Sequence, residues 1–144
     1  MHPYPHRYLS TARAAVEGEV ELGSAGLAAL TSLPPVEFGG PGTRWSPETL
    51  LVAAVADCFV LSFRAVARAS KLPWTYLECS TEGVLDRVEG VTRFTEMHTK
   101  ATLTVPVGTE EALARRLLEK AEKVCLISNS LLASKHLETT VVQA

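Results

Sequence analysis

The stretch SPETLLVAAVADCFVLSF, residues 46–63, decides the fold, because it joins a helix start to the most apolar run of the chain. Ser46 can cap the free backbone amides, the proline after it suits the first helical position, and Glu48 favours the positive end of the helix dipole. We predict a helix from this serine to about Lys71. Apolar residues nearly surround it as far as Phe63, which predicts a helix buried on most sides.

A cysteine, Cys58, lies in the middle of this apolar run. A thiol is a small hydrophobic group, so packing in a core is the ordinary explanation for such a residue. A cysteine in an apolar pocket can also act as a nucleophile, provided that a nearby cation or helix terminus favours the thiolate. The run itself does not decide between the two roles.

Length and composition indicate one globular domain over residues 1–144. Hydrophobic residues make up 47% of the chain and charged residues 21%, and the net charge is −2. The sequence contains no cluster of basic residues of the kind that binds nucleic acid. The N-terminus lacks the apolar core of a signal peptide, and the apolar run 50–63 is shorter than the roughly 20 residues that cross a bilayer. We therefore expect a cytoplasmic protein that binds neither nucleic acid nor membranes.

Upstream of the long helix, residues 7–33 are expected to form short strands separated by turns. Residues 34–45 form a loop rich in proline and glycine. The two aromatic residues of this loop, Phe38 and Trp45, are expected to lie in the core.

Downstream of the helix, residues 72–88 and 92–107 alternate like two antiparallel strands with a turn at Glu89–Gly90. Thr109 is expected to cap a second helix. A short further helix within 125–135 and a last strand over 136–143 complete the chain. This order of elements predicts an α+β architecture.

Three cysteines do not make a disulfide framework, and none of them forms a C-x-x-C motif. Cys79 alternates within a predicted strand and is expected to serve packing. The four histidines are scattered along the sequence, so we expect no zinc site and no cofactor; they are His2, His6, His98 and His136. His98 lies in a predicted strand, and we expect no catalytic role for it.

The two other cysteines lie in distinctive flanks. The segment SPETLLVAAVADCF is followed by AEKVCLISNSL, and the second cysteine comes 67 residues after the first. This pair of motifs resembles the osmotically inducible protein C and organic hydroperoxide resistance family (OsmC/Ohr). In that family a Pro-Glu pair opens the central helix, a cysteine follows ten residues later, and a second cysteine starts a C-x-x-S segment. The matching residues are Pro47, Glu48, Cys58, Cys125 and Ser128.

The resemblance implies an α+β, OsmC-like fold, with antiparallel sheets around a long buried central helix in an intertwined homodimer. It also implies a thiol peroxidase for organic or lipid hydroperoxides, recycled by a dithiol such as a lipoyl group. Cys58 would attack the peroxide, Cys125 would close a disulfide with it, and Glu48 would help to position a cation. Apolar neighbours suit alkyl peroxides; we expect Leu51, Val55, Phe59 and Phe63, with Phe38 and Trp45 from the loop.

Glu48 raises a geometric question. Ten helical residues place it about 15 Å along the axis from Cys58, so it cannot touch that thiol of its own helix. We expect it to reach the site from a second chain or through an intermediary, and a helix this apolar also indicates a homodimer. Asp57, next to the cysteine, is expected to pair with a cation.

One position departs from the family pattern. Relatives carry an arginine in a GGRxG turn near the N-terminus, whereas AAVEG, residues 14–18, places Val16 there. Arg7, Arg13 and Arg44 are the candidate substitutes, and the sequence does not choose among them. The absent arginine keeps two alternatives open: a non-catalytic protein that binds an apolar small molecule, and a redox sensor that forms the disulfide once.

Overall fold

The computed structural model describes residues 1–144 and contains two compact units, Met1–Leu50 and Leu51–Ala144. Each unit carries a three-stranded sheet, and the long helix α1, Pro47–Ser70, begins in the first unit and continues through the second. The fold class is α+β, as predicted. The expectation of a single domain over 1–144 stays a prediction.

The first unit is built on an antiparallel sheet in the order β1-β2-β3. Its strands are β1 Thr11–Arg13, β2 Val20–Gly23 and β3 Leu30–Ser32, followed by a short 3-10 helix over Val36–Phe38. Short strands were expected here. The prediction that Phe38 and Trp45 are core residues is wrong within the chain, because they are 58% and 49% exposed. The 3-10 helix holds no buried residue, so Phe38 remains on the surface.

The start of α1 is fixed by a reciprocal cap. The Thr49 backbone N–H donates to Ser46 Oγ at 3.1 Å, and the Ser46 N–H donates to Thr49 Oγ1 at 2.9 Å. These bonds satisfy two amides that a helix start leaves free. The helix ends at Ser70, and Lys71 adopts a left-handed φ of 55° that is common after helix ends. Both predicted boundaries are confirmed.

Helix α1 buries one face within the chain. Its buried residues recur at helical spacing, which defines a single stripe; they are Val55, Phe59, Phe63, Val66 and Ala67. Leu61 on another face is 51% exposed. The predicted burial on most sides is therefore not met by the chain alone, and a large apolar surface of the helix stays open.

By length and composition alone, α1 could cross a bilayer, and 22% of its apolar window is buried. The sequence predicted a segment too short to cross a bilayer, because only the apolar run 50–63 was counted, whereas the helix has 24 residues. Its buried stripe forms part of the hydrophobic core of the second unit. α1 is thus the core helix of this α+β fold.

The second unit pairs its strands in the order β4-β5-β6. The β4–β5 hairpin turns at Glu89–Gly90, where both residues have positive φ as a type I′ turn requires. The β6 strand runs parallel to β5, because two helices form the crossover between them. The expectation of antiparallel sheets is wrong for this pair. The elements are β4 Tyr76–Val88, β5 Val91–Val105, α2 Glu111–Val124, α3 Leu126–Asn129 and β6 Ser134–Gln143.

The start of α2 differs from the prediction, because Glu110 and not Thr109 is the N-cap residue. The Thr109 N–H donates to the Pro106 carbonyl, and its own carbonyl accepts a bond from Gln143 Nε2. These bonds hold Thr109 in the preceding turn. The further helix α3 is also shorter than the predicted range 125–135.

Gly83 allows α1 to approach the second sheet closely. It pairs with Met97, whose side chain points to the core side of the sheet. A Cβ atom at Gly83 would lie 2.8 Å from Val52 Cγ2 and 2.8 Å from Phe94 Cε1. Only glycine fits this distance without a shift of its neighbours.

Candidate active site

The fold brings Cys58 and Cys125 together. Cys58 is half-buried in α1, and Cys125 is only 1% exposed between α2 and α3. Cys125 Sγ lies 4.0 Å from the Val55 carbonyl, about one turn before Cys58 in α1, and the neighbouring Cys58 thiol raises the pKa of Cys125. Two sulfur atoms that are 67 residues apart in the sequence therefore meet in one site.

The C-x-x-S segment gives Cys125 its position. The residue is the C-cap of α2 and the N-cap of α3, with an extended ψ of 103° that breaks the helical path. Its carbonyl accepts a hydrogen bond from Ser128 Oγ at 3.2 Å and another from the Asn129 N–H at 3.0 Å. The serine thus fixes the backbone of the cysteine at the helix junction.

Burial is the main influence on the Cys125 thiol and raises its pKa above the ordinary value. Hydrogen bonds from the side chain and backbone of Ser128 lower this pKa, while the neighbouring Cys58 raises it. Cys125 is therefore a protonated thiol at neutral pH, which makes it a poor first nucleophile.

Cys58 is the more accessible of the two thiols. Its sulfur lies 3.9 Å from Ser62 Oγ, one helical turn further along α1. Asp57 is exposed and takes part in no ion pair, so its expected pairing with a cation is wrong. Solvent around an exposed carboxylate replaces the partner that the sequence suggested.

The space beside Cys125 is very small. It is a cavity of about 10 Å³, which holds at most a single water molecule. A molecule larger than water does not fit this cavity. The cavity is lined by Val55, Phe59, Met97, Thr99, Glu122, Cys125, Ser128 and Lys135.

Sequence reasoning missed Lys135 as a member of this site. Its Nζ donates to the Glu122 carbonyl at 2.8 Å and to Asn129 Oδ1 at 2.7 Å, which ties β6 to the end of α2 and to α3. The predicted last strand began one residue later, at His136, and so excluded it. The alternation of the last strand could have indicated this residue, because Lys135 occupies the next partly buried position before Leu137.

Glu122 also lines the cavity. Burial raises the pKa of its carboxyl group, while the positive charges of Lys135 and His136 lower that pKa and the charge of Glu119 raises it. The wall beside Cys125 therefore carries two ionisable groups of opposite sign.

Cys79 faces the core from β4, and its pKa is raised first by burial, with a smaller rise from Cys125. Its predicted packing role is consistent with this position.

Glu48 lies in the first turn of α1, ten residues before Cys58. Its Oε2 atom is buried and has no hydrogen-bond partner in the chain. A buried carboxylate oxygen without a partner is costly, so this atom points to a donor that the single chain does not supply.

The three candidate arginines lie in the first unit. Arg13 pairs with Glu21 at 2.6 Å, and Arg44 pairs with Glu19 at 2.8 Å. Arg7 forms no ion pair. The choice among them of a cation for the Cys58 thiol stays open.

The histidines are less scattered in space than in sequence. His98 of β5 and His136 of β6 are direct register partners, and their rings stack with centroids 4.5 Å apart. The scattered sequence positions of the histidines did not predict this pair, because the parallel pairing of β5 and β6 joins positions that are 38 residues apart.

Comparison with known proteins decides the family. A model of the family described as OsmC-like protein matches residues 40–140. The chain belongs to the OsmC-like protein family. The matched region contains both cysteines, Glu48 and the C-x-x-S segment, while Val16 lies before it.

Individual relatives of this OsmC-like protein cover most of its length. It is 27% identical over 125 residues to the uncharacterized protein YmaD of Bacillus subtilis, which covers 84% of this chain and 81% of the relative. It is 31% identical over 132 residues to an organic hydroperoxide resistance protein of Xanthomonas axonopodis pv. citri, and the match covers 88% of this chain and 89% of the relative.

Solved structures confirm the OsmC-like fold. An OsmC-like protein of unknown function from Vibrio cholerae matches with a TM-score of 0.84 at 15% identity, covering 94% of this chain and 99% of the other. At this identity the likeness concerns the fold alone. The resemblance stated from the sequence motifs is confirmed.

Proposed function

We propose that this OsmC-like protein is a cysteine-based peroxidase that reduces organic hydroperoxides to alcohols. The observation that carries the proposal is the position of the buried Cys125, whose Sγ lies 4.0 Å from the Val55 carbonyl, about one turn before Cys58 in α1. The class of substrate is supported by the relative from Xanthomonas that is named an organic hydroperoxide resistance protein.

The reaction has two steps on the protein. The Cys58 thiolate attacks the distal peroxide oxygen, the O–O bond breaks, and the alkoxide takes a proton and leaves as the alcohol. Cys58 is then a sulfenic acid, oxidised by two electrons. The Cys125 sulfur attacks the Cys58 sulfur, which forms the S–S bond and releases water. A dithiol then reduces this disulfide by exchange and restores both thiols.

The two roles follow from exposure and acidity. Cys125 is nearly inaccessible, and burial raises the pKa of its thiol, so it is suited to the second step. Cys58 is only half-buried, so a substrate can reach its thiol from solvent.

Glu48 is assigned a positioning role in this proposal. Its unpartnered Oε2 would accept a hydrogen bond from a cation, and that cation would stabilise the Cys58 thiolate. Because the helix separates Glu48 from the Cys58 of its own chain, we place the shared site in a homodimer. The exposed apolar surface of α1 supports this assembly. The free thiols and the need for a dithiol reductant favour the cytoplasm.

Steady-state turnover tests the proposal. The protein is supplied with tert-butyl hydroperoxide and dihydrolipoamide, and the alcohol formed is measured over many equivalents. We expect continuous turnover in the wild type and in Cys79→Ser, and no turnover above background in Cys58→Ser. A single equivalent of alcohol would instead indicate a redox sensor. No alcohol at all, together with a copurified apolar molecule, would indicate a binding protein, and either outcome overturns the proposal.

A further inference from the structure

A second cluster of reactive side chains lies on the other face of the second sheet. Met97 and Thr99 of β5 are buried on the core side, so Glu96 and His98 project from the opposite face. His136 of β6 is the register partner of His98 and shares that face. These three side chains are 40–49% exposed, so an ion in solution can reach them.

The three side chains lie close together. His98 Nε2 lies 3.2 Å from Glu96 Oε1, and His136 Nε2 lies 3.6 Å from the same oxygen. The imidazole rings are nearly parallel, with an angle of 11° between their planes. One ligand atom from each residue lies within 4.8 Å of the other two.

The two nitrogen–oxygen separations are close to those of ligands around a metal ion. A tetrahedral zinc ion binds imidazole nitrogen and carboxylate oxygen at about 2.0–2.2 Å, which sets neighbouring ligand atoms about 3.3–3.6 Å apart. The two nitrogen–oxygen distances, 3.2 and 3.6 Å, lie within about 0.1 Å of this range. Imidazole and carboxylate are also donors that suit zinc and its neighbours in the transition series.

We propose that Glu96, His98 and His136 form a binding site for a divalent transition metal ion of the zinc class. Three protein ligands leave the fourth position open to water. Ser134 Oγ lies 3.1 Å from His136 Nε2, so it is placed beside the ion and can hydrogen-bond that water. The site is independent of the proposed peroxidase activity, since it uses no cysteine.

The charges around the cluster favour a cation. Glu82 of β4 is the register partner of His98 and projects from the same face. Lys100 is the nearest cation along β5, and Glu138 of β6 lies 3.8 Å from it. Three carboxylates therefore surround the imidazoles against one ammonium group. A bound ion would tie β5 to β6 and stabilise the folded chain.

Zinc titration by calorimetry tests the site. Thiols also bind zinc, so the protein used carries Cys58→Ser and Cys125→Ser. We expect one Zn²⁺ per chain, and at least a tenfold loss of affinity in His98→Gln, in His136→Gln and in Glu96→Gln. The matched control is the double variant His2→Gln and His6→Gln, which removes two exposed imidazoles elsewhere and should leave the affinity unchanged.

Thermal unfolding gives a second readout on the same proteins. The parent is the protein that carries only Cys58→Ser and Cys125→Ser. Zinc should raise the unfolding temperature of this parent and of the His2→Gln, His6→Gln control, and should not raise that of His98→Gln. Absence of saturable zinc binding in the parent would overturn the site. Binding that survives both His98→Gln and His136→Gln, or that is lost in the N-terminal control, would also overturn it.

Discussion

The thiol of Cys125, at the junction of α2 and α3, lies against α1 beside Cys58, with its Sγ 4.0 Å from the Val55 carbonyl. One sulfur is almost fully buried and the other is partly accessible. This asymmetry separates a thiol that can meet a substrate from one that can only meet its neighbour. The proposed two-step chemistry depends on that difference.

Removal of the second thiol should trap the first intermediate. In Cys125→Ser, a sulfenic acid formed on Cys58 has no partner, so we expect it to persist and to react with dimedone. Mass spectrometry after one equivalent of tert-butyl hydroperoxide should show one adduct per chain. Cys79→Ser, which keeps the pair, should show little adduct, and Cys58→Ser none. An adduct on Cys79 or Cys125 in the latter protein would contradict the assignment.

The disulfide-forming step should accelerate with rising pH. Burial raises the pKa of Cys125 above its ordinary value of 9.0, so its thiolate fraction still grows at pH 9 and beyond. The rate of disulfide formation, followed by rapid quenching between pH 6 and 10, should increase throughout this range. Ser128→Ala removes a hydrogen bond that lowers this pKa and should shift the profile to higher pH. A rate independent of pH would rule out Cys125 as the attacking thiol.

Lys135 should contribute to stability through its two hydrogen bonds. Lys135→Met removes the bonds to the Glu122 carbonyl and to Asn129, which should lower the free energy of unfolding by about 1.5–3 kcal/mol. Urea unfolding measures the difference. Lys120→Met on the exposed face of α2 is the control and should change stability little. Equal losses in the two variants would show that the bonds of Lys135 add nothing.

Gly83 should resist even the smallest side chain. Gly83→Ala places a methyl group 2.8 Å from Val52 and Phe94, so the neighbours must shift at a cost of about 1–3 kcal/mol. Glu82→Ala, one residue away on the exposed face, serves as the control in the same denaturation experiment. Unchanged stability in Gly83→Ala would mean that α1 moves away from the sheet freely.

Local signals explain how much of the fold was predictable. The cap at Ser46, the end of α1 near Lys71 and the turn at Glu89–Gly90 each depend on neighbouring residues, and each was found. The N-cap of α2 was misplaced by one residue, because Thr109 is held by a bond from Gln143, 34 residues away. Such a contact has no local signature.

Only the residues that belong to the two cysteine motifs could be predicted as members of the site. The flanks of Cys58 and Cys125 identified the pair, but their contact required the crossover that the helices provide. The exposure of Trp45 and Phe38 was missed because a loop's aromatic residues have no periodicity to indicate their direction. The pairing of His98 with His136 was missed because it arises from the parallel alignment of two distant strands.

The most direct measurement counts free thiols before and after exposure to one equivalent of tert-butyl hydroperoxide. The reduced chain has three thiols, and we expect one to remain, with the lost pair recovered as a peptide that joins Cys58 to Cys125. In Cys58→Ser both remaining thiols should survive. A wild type that keeps all three thiols, or a disulfide that includes Cys79, would contradict the central claim.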